Sequence, residues 1–181
     1  MSVIDPLLRN VVGLDLGKQS DYSALALVTW RLPAPPPDLD PFRTRRIRPA
    51  PALPSRVHFQ VPTLKRWALG TPYTRIIDSV IKFCQAPPLS ESIPMLVVDA
   101  TGVGEAVCEM AQERMARAGV RGYFIAVTIT AGSAVTCAGP LRWHVAKKHL
   151  VSVLQVLLGT RRLHVAPGLA EPAVKIQNLE E

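Results

Sequence analysis

VVGLDLG (Val11–Gly17), followed across a short polar link by SALALVTW (Ser23–Trp30), is the stretch on which the fold turns. The first run is apolar, of strand length, and ends on Asp15 and a glycine turn. The second is apolar and again of strand length. The link Lys18–Tyr22 is too short for a crossover, so the two runs read as an antiparallel hairpin, although its turn chemistry is not one of the two-residue signals. Further on, MLVVDA (Met95–Ala100) is a near-continuous apolar run that ends on Asp99 and enters the tight turn TGVG, Thr101–Gly104. A run apolar at successive positions is the mark of a central strand covered on both faces.

The remaining elements build outward from these strands. VHFQV (Val57–Val61) alternates as a third strand would. Thr71–Gln85 reads as a helix capped by Thr71, with Pro72 at its first position and Ile76, Ile77, Val80, Ile81 and Cys84 as its apolar stripe. Pro87 and Pro88 stop it. Glu105–Ala118 is a second helix with Val107, Met110, Ala111 and Met115 facing inward, and Tyr123–Ile129 is a further strand. Ala131–Pro140 reads as a loop, Trp143–Leu158 as a long buried helix with Trp143 in the core, and Arg161–Val165 as extended or turn. Leu169–Glu181 is expected to begin a last helix. Sequential strands favour an antiparallel meander, and strands separated by helices favour parallel crossovers. The expected fold is α/β, an RNase H-like mixed sheet with antiparallel first strands, later parallel strands and helices on both faces.

The chain has 181 residues, 48% of them hydrophobic and 19% charged, which suits one globular domain spanning 1–181. Between Arg31 and Arg56 the composition changes: eight of the 17 prolines and six arginines fall there. With donors removed and little to bury, 31–56 is expected to be a mobile basic loop inserted into the sheet. Cys84, Cys108 and Cys137 are odd in number, widely spaced and without a C-x-x-C pair, so they read as reduced thiols, neither a disulfide frame nor a zinc site. No secretory leader is evident at Met1–Asn10, and no apolar stretch is long enough to span a bilayer. The expectation is a soluble cytoplasmic protein. The net charge of +7 suits a polyanionic partner, while an aromatic content of 6% argues against a reader of single strands that works by stacking.

Asp15 and Asp99 each close an apolar strand and each precede a glycine-containing turn. An aspartate in that position is also a common turn former, because its carboxylate accepts from nearby backbone N–H groups. If the two strands are neighbours, however, both carboxylates emerge at one sheet edge, where each raises the other's pKa unless a cation intervenes. Mg²⁺ or Mn²⁺ prefers such oxygen ligands, and a pair of these ions roughly 3.5–4 Å apart can hydrolyse a phosphodiester. Asp21, six residues after Asp15, lies within reach of the same cleft; a plain surface role is the competing reading.

The segment VGLDLGKQSDYSAL (Val12–Leu25) resembles the start of the nuclease domain of the large terminase subunit of tailed bacteriophages, and LVVDATGVGEAV (Leu96–Val107) is similar to that family's second acidic block. The resemblance covers most of the chain in order, with these two blocks its specific parts. It implies an RNase H-like fold, a divalent-metal-dependent endodeoxyribonuclease with a two-metal Mg²⁺ or Mn²⁺ site, and double-stranded DNA as substrate. Asp15 and Asp99 would be catalytic metal ligands and Asp21 an accessory ligand. The implied partners are a terminase ATPase domain, the small terminase subunit and the portal, in a host cytoplasm. The family's last acidic motif, a Gly-x-Asp-Asp-like opening of the final helix, has no counterpart here; Glu171, Glu180 and Glu181 lack that context, so either the C-terminal end of the fold is missing or the site is incomplete. No Gly-x-x-x-x-Gly-Lys-Ser/Thr loop occurs either.

From Arg114 to Ala170 there is no acid, against eight Lys or Arg. Ordinary surfaces mix signs, so the stretch reads as a phosphate-binding face. The DNA-binding candidates are Arg142, Lys147 and Lys148 near a helix start, with Arg43, Arg45 and Arg46 of the arginine-rich loop. His144 and His149 are five apart and poorly placed to share a metal on one helix. The turn TGVG could cradle a phosphate, although a structural turn is the plainer reading. Two alternatives stand beside the nuclease: a non-catalytic module that binds DNA or a packaging complex through an incomplete RNase H-like site, and an actin/sugar-kinase-like ATP-binding domain, whose phosphate loops Asp15–Gly17 and Asp99–Gly104 echo.

Overall fold

The structure is a computed structural model that describes residues 8–17, 21–32, 57–102, 105–167 and 169. One eight-stranded sheet organises them, in the order β6-β7-β5-β4-β1-β2-β3-β8. The strands are β1 (Leu8–Asp15), β2 (Ala24–Arg31), β3 (Phe59–Arg66), β4 (Met95–Asp99), β5 (Tyr123–Thr130), β6 (Val135–Gly139), β7 (Arg142–Ala146) and β8 (Leu163–Val165), and the helices α1 (Tyr73–Gln85), α2 (Glu105–Arg117) and α3 (Lys147–Gly159). β1, β2 and β3 are antiparallel neighbours; β1 pairs in parallel with β4, β4 with β5 and β5 with β7. This is the mixed α/β sheet expected, and its order is consistent with an RNase H-like fold.

Crossover handedness distributes the helices. The chain moves from β3 to β4 to β5 in one direction across the sheet, and from β7 to β8 in the other. Parallel crossovers are right-handed, so α1 and α2 fall on one face and α3 on the opposite one. The contacts agree. Ile76, Ile77 and Val80 of α1 and Ala111 and Met115 of α2 share one core with Val12, Leu14, Leu96 and Val98. Leu150 of α3 instead shares a cavity with Gly13, Asp15, Val97 and Asp99, the alternate residues of the same strands.

The first face is a close-packed core: Val12 and Val98 have no exposure, and the α1 stripe is buried as its spacing predicts. On α2, Cys108 joins Ala111 and Met115 in the interior, while Val107 and Met110 pack at its margin. Burial pushes the Cys84 thiol up to about 11, and Cys84, Cys108 and Cys137 are all free.

Several local expectations are corrected. The third strand runs on to Arg66 through Pro62, because β8 pairs β3 only at Phe59–Val61 and the register with β2 shifts where Pro62 falls. A proline without a ladder partner on that side forfeits no hydrogen bond. Thr71 does not cap α1: Pro72 is the N-cap, and the Thr71 hydroxyl donates to Ala68 O. Residues 135–139, read as loop, form β6, and Trp143 lies on β7 instead of in a helix. The β6–β7 turn is made by Leu141 in the left-handed region (φ 56°), a conformation that a leucine gives no sequence sign of. Trp143 is 40% exposed, and none of α3 is buried, so neither is the core element its apolarity suggested. The 33–56 part of the loop and the helix expected over 170–181 lie outside the described residues.

An acidic pair at the carboxyl ends of two central strands

β1 and β4 are parallel neighbours in register Val11 with Met95 through Asp15 with Asp99. The two aspartates are therefore side by side at the carboxyl edge of the sheet and on the same face. Their strands are adjacent, as a shared sheet edge requires. Each had to follow an apolar strand for this to happen: Leu14 and Val98, one residue back, point into the opposite core and fix which way the aspartates face.

The β1–β2 hairpin closes tightly beyond Asp15. A Cβ on Gly17 would collide with Asp21 O and lie 2.6 Å from Tyr22 O, so only glycine allows the returning chain to pass there. Ser23 Oγ accepts from Gly17 N at 3.0 Å, and Tyr73 of α1 donates its hydroxyl hydrogen to Gly17 O at 3.0 Å, tying the turn to the core layer. This closure is what brings Asp21 within electrostatic range of Asp15.

Asp99 is held from the other side. Thr101 donates both its backbone N–H (2.8 Å) and its hydroxyl (2.5 Å) to Asp99 Oδ1, and Thr101 Oγ1 accepts from Ile129 N at 2.7 Å. Accepting from Ile129 aims the hydroxyl hydrogen at the carboxylate. Asp99 is thus a turn former through Oδ1, as the plainer reading proposed. Its Oδ2 meets no donor among the described residues, and neither oxygen of Asp15 does. The two roles coexist in one carboxylate.

The Asp15 carboxyl titrates above the ordinary range. Partial desolvation is the largest cause, followed by repulsion from Asp99 and then from Asp21. A site that makes its own anion uncomfortable is one that a cation would relieve. Among the described residues no group of three His, Cys, Asp or Glu gathers as a metal cluster. Two carboxylates completed by water suit a single Mg²⁺-like ion, whereas the expected two-ion arrangement asks for more carboxylates than the described residues bring together.

The pair opens on a cavity of about 540 Å³ on the α3 side of the sheet, walled by small and apolar residues including Gly13, Ala26, Val97 and Leu150. Arg66 lines it as well, a residue that the sequence reading missed. The register explains its presence: Arg66 pairs with Ala24, Ala24 with Asp15 and Asp15 with Asp99, so one row across four strands carries all three charged side chains on one face.

The basic residues picked from sequence divide. Arg142 opens β7 and forks onto Glu105 at the start of α2, with Nη1 to Oε2 at 2.7 Å and a second contact to Oε1, so its charge is matched. Arg114 pairs with Asp78 and Arg117 with Glu113. The acid-free span is thus not an acid-free surface. Lys147 and Lys148 are exposed in the first turn of α3, which has no acid. That is the wrong helix end for cations, and with no side chain capping that end they make a positive patch open to an anion. Arg43, Arg45 and Arg46 lie outside the described residues, as do Val103 and Gly104 of the turn considered for phosphate. His144 is on β7 and His149 on α3, not on one helix. No helix among the described residues is long and apolar enough to cross a membrane.

No protein-family model, curated protein or solved structure matches the chain.

Proposed function

We propose that the chain is a divalent-metal-dependent nuclease domain that cuts the phosphodiester backbone of double-stranded DNA. The observation carrying this reading is the register of Asp15 with Asp99 at the carboxyl ends of adjacent parallel strands, on the face that opens to the cavity. Carboxylate pairs so placed are costly without a cation, and the Asp15 carboxyl, raised first by partial burial and then by repulsion from Asp99 and Asp21, carries part of that cost. Asp15 and Asp99 would hold the ion, with Asp21 near enough to add to its field. Bound there, Mg²⁺ or Mn²⁺ would supply Lewis acidity and a water acidified towards neutral pH. Thr101 keeps the Asp99 carboxylate from rotating, and Gly17 keeps the hairpin closed beside Asp15. The net charge of +7, with Lys147 and Lys148 at the head of α3, favours a polyanionic substrate.

The resemblance of the two acidic blocks to the large-terminase nuclease domain makes packaged viral DNA the proposed substrate and the packaging motor the proposed setting. A module that binds DNA without cutting it is the second reading, favoured by the absence of a three-ligand cluster among the described residues. Supercoiled plasmid incubated with Mn²⁺, Mg²⁺ or EDTA separates the two. Metal-dependent nicking that Asp15→Asn abolishes supports the nuclease; retained DNA binding with no nicking under any metal favours the binding module.

A further inference from the structure

We infer that Arg66, whose guanidinium sits over the ring of Tyr22, is a DNA-phosphate clamp beside the acidic pair. The inference rests on the nuclease reading for its substrate and on separate observations for its place. Arg66 lines the same cavity as Asp15 and Asp99 and stands in their register row. Its guanidinium carbon lies 4.2 Å from the centroid of the Tyr22 ring. Among the described residues no carboxylate pairs with it, whereas Arg114, Arg117 and Arg142 each have one. A guanidinium resting over an aromatic face is held in place yet keeps N–H groups for a phosphate, which its fork geometry binds better than a lysine can.

Position makes the assignment specific. Two strand spacings separate Arg66 from Asp15, roughly 10 Å. The clamp therefore grips the backbone close to the aspartates, and offsets the repulsion that Asp15, Asp21 and Asp99 exert on an approaching polyanion. Tyr22 follows directly on Asp21, so the hairpin that Gly17 closes delivers an acid to the site and an aromatic rest to the arginine.

The test uses the full chain and a short fluorescein-labelled DNA duplex. Affinity is read by fluorescence anisotropy in EDTA across a salt series, and plasmid nicking in Mn²⁺ is read in parallel. Arg66→Ala is expected to weaken binding about tenfold and to lower the salt slope by about one, the signature of one lost phosphate contact. Arg66→Lys keeps the charge and should recover the salt slope but only part of the affinity. Tyr22→Leu should weaken binding with the slope unchanged. Asp15→Asn should bind in EDTA at least as well as the parent chain. Parent-like affinity and slope in Arg66→Ala, with an unchanged circular dichroism spectrum, would overturn the clamp. Failure of the nuclease reading shows elsewhere, as absence of metal-dependent nicking by the parent chain, and leaves the anisotropy result to decide Arg66 by itself.

Discussion

Asp15→Asn should stabilise this protein at neutral pH and remove its response to metal. Neighbouring strands are about 4.8 Å apart, which places the Asp15 and Asp99 carboxylates on the order of 5 Å from one another. Two like charges at that distance repel by about 1 kcal/mol in a water-like dielectric and about 3 kcal/mol at the effective value used for protein surfaces. Asp15 is exposed, so the screened figure governs, and about 1 kcal/mol is the expected gain from the neutral isostere. For a domain of this length that is a rise in Tm of about 2–4 °C. The pH dependence carries its own sign. Asp15 titrates higher in the folded chain than in the unfolded one, so its favourable contribution is present at low pH and is lost as pH rises through the folded value. The Asp15→Asn advantage should thus be full near pH 7, shrink as pH falls through the folded value, and be gone only below the unfolded value of about 3.9, where the carboxyl is protonated in both states. Mn²⁺ at about a hundred times its Kd should add about 2.7 kcal/mol to the parent chain, and only a fraction of that to the variant. Differential scanning fluorimetry at pH 7 and pH 3.5, with Mn²⁺ or EDTA, reads all of these. A variant less stable than the parent at pH 7, or one that gains as much from Mn²⁺, would refute the argument that these carboxylates form a cation site.

Thr101→Val removes the hydroxyl that holds Asp99 Oδ1 and leaves Ile129 N without its acceptor; nicking should fall about tenfold or more, with Thr101→Ser close to the parent, as read by plasmid assay. Gly17→Ala drives a Cβ into backbone atoms of Asp21 and Tyr22 that cannot swing aside; a loss of about 2 kcal/mol or more in urea unfolding, together with weakened Mn²⁺ binding, is expected. Ile76→Ala opens a hole where α1 meets the sheet, in a residue 1% exposed; it should cost about 2–5 kcal/mol in urea without moving the Mn²⁺ affinity of the remaining folded protein. An Mn²⁺ affinity that fell with Ile76→Ala would mean that core packing and site geometry are coupled more closely than their separation on opposite sheet faces implies.

How far the sequence reached depended on whether a feature is local. The paired apolar runs ending on Asp15 and Asp99, the α1 stripe and the Gly17 turn were all legible, because burial on both faces, helical period and a backbone needing glycine each leave a mark within a few residues. The exposed Trp143 was misread because its strand exists through pairing with β5, whose partner residues begin at Ala126, and no short window holds that contact. Arg142 read as free because Glu105, its partner, is 37 residues away in the chain.

The amino-acid order by itself therefore settled that the central strands are buried and that an aspartate closes each, since a continuous apolar run of strand length ending on an acid and a glycine turn permits few backbone solutions. Only the tertiary structure decided that β1 lies beside β4, that the row extends through Ala24 to Arg66, and that α3 crosses the face carrying the acids. These are facts of strand order and crossover handedness. They arise from packing the whole sheet at once, and no side chain in either acidic block specifies them alone.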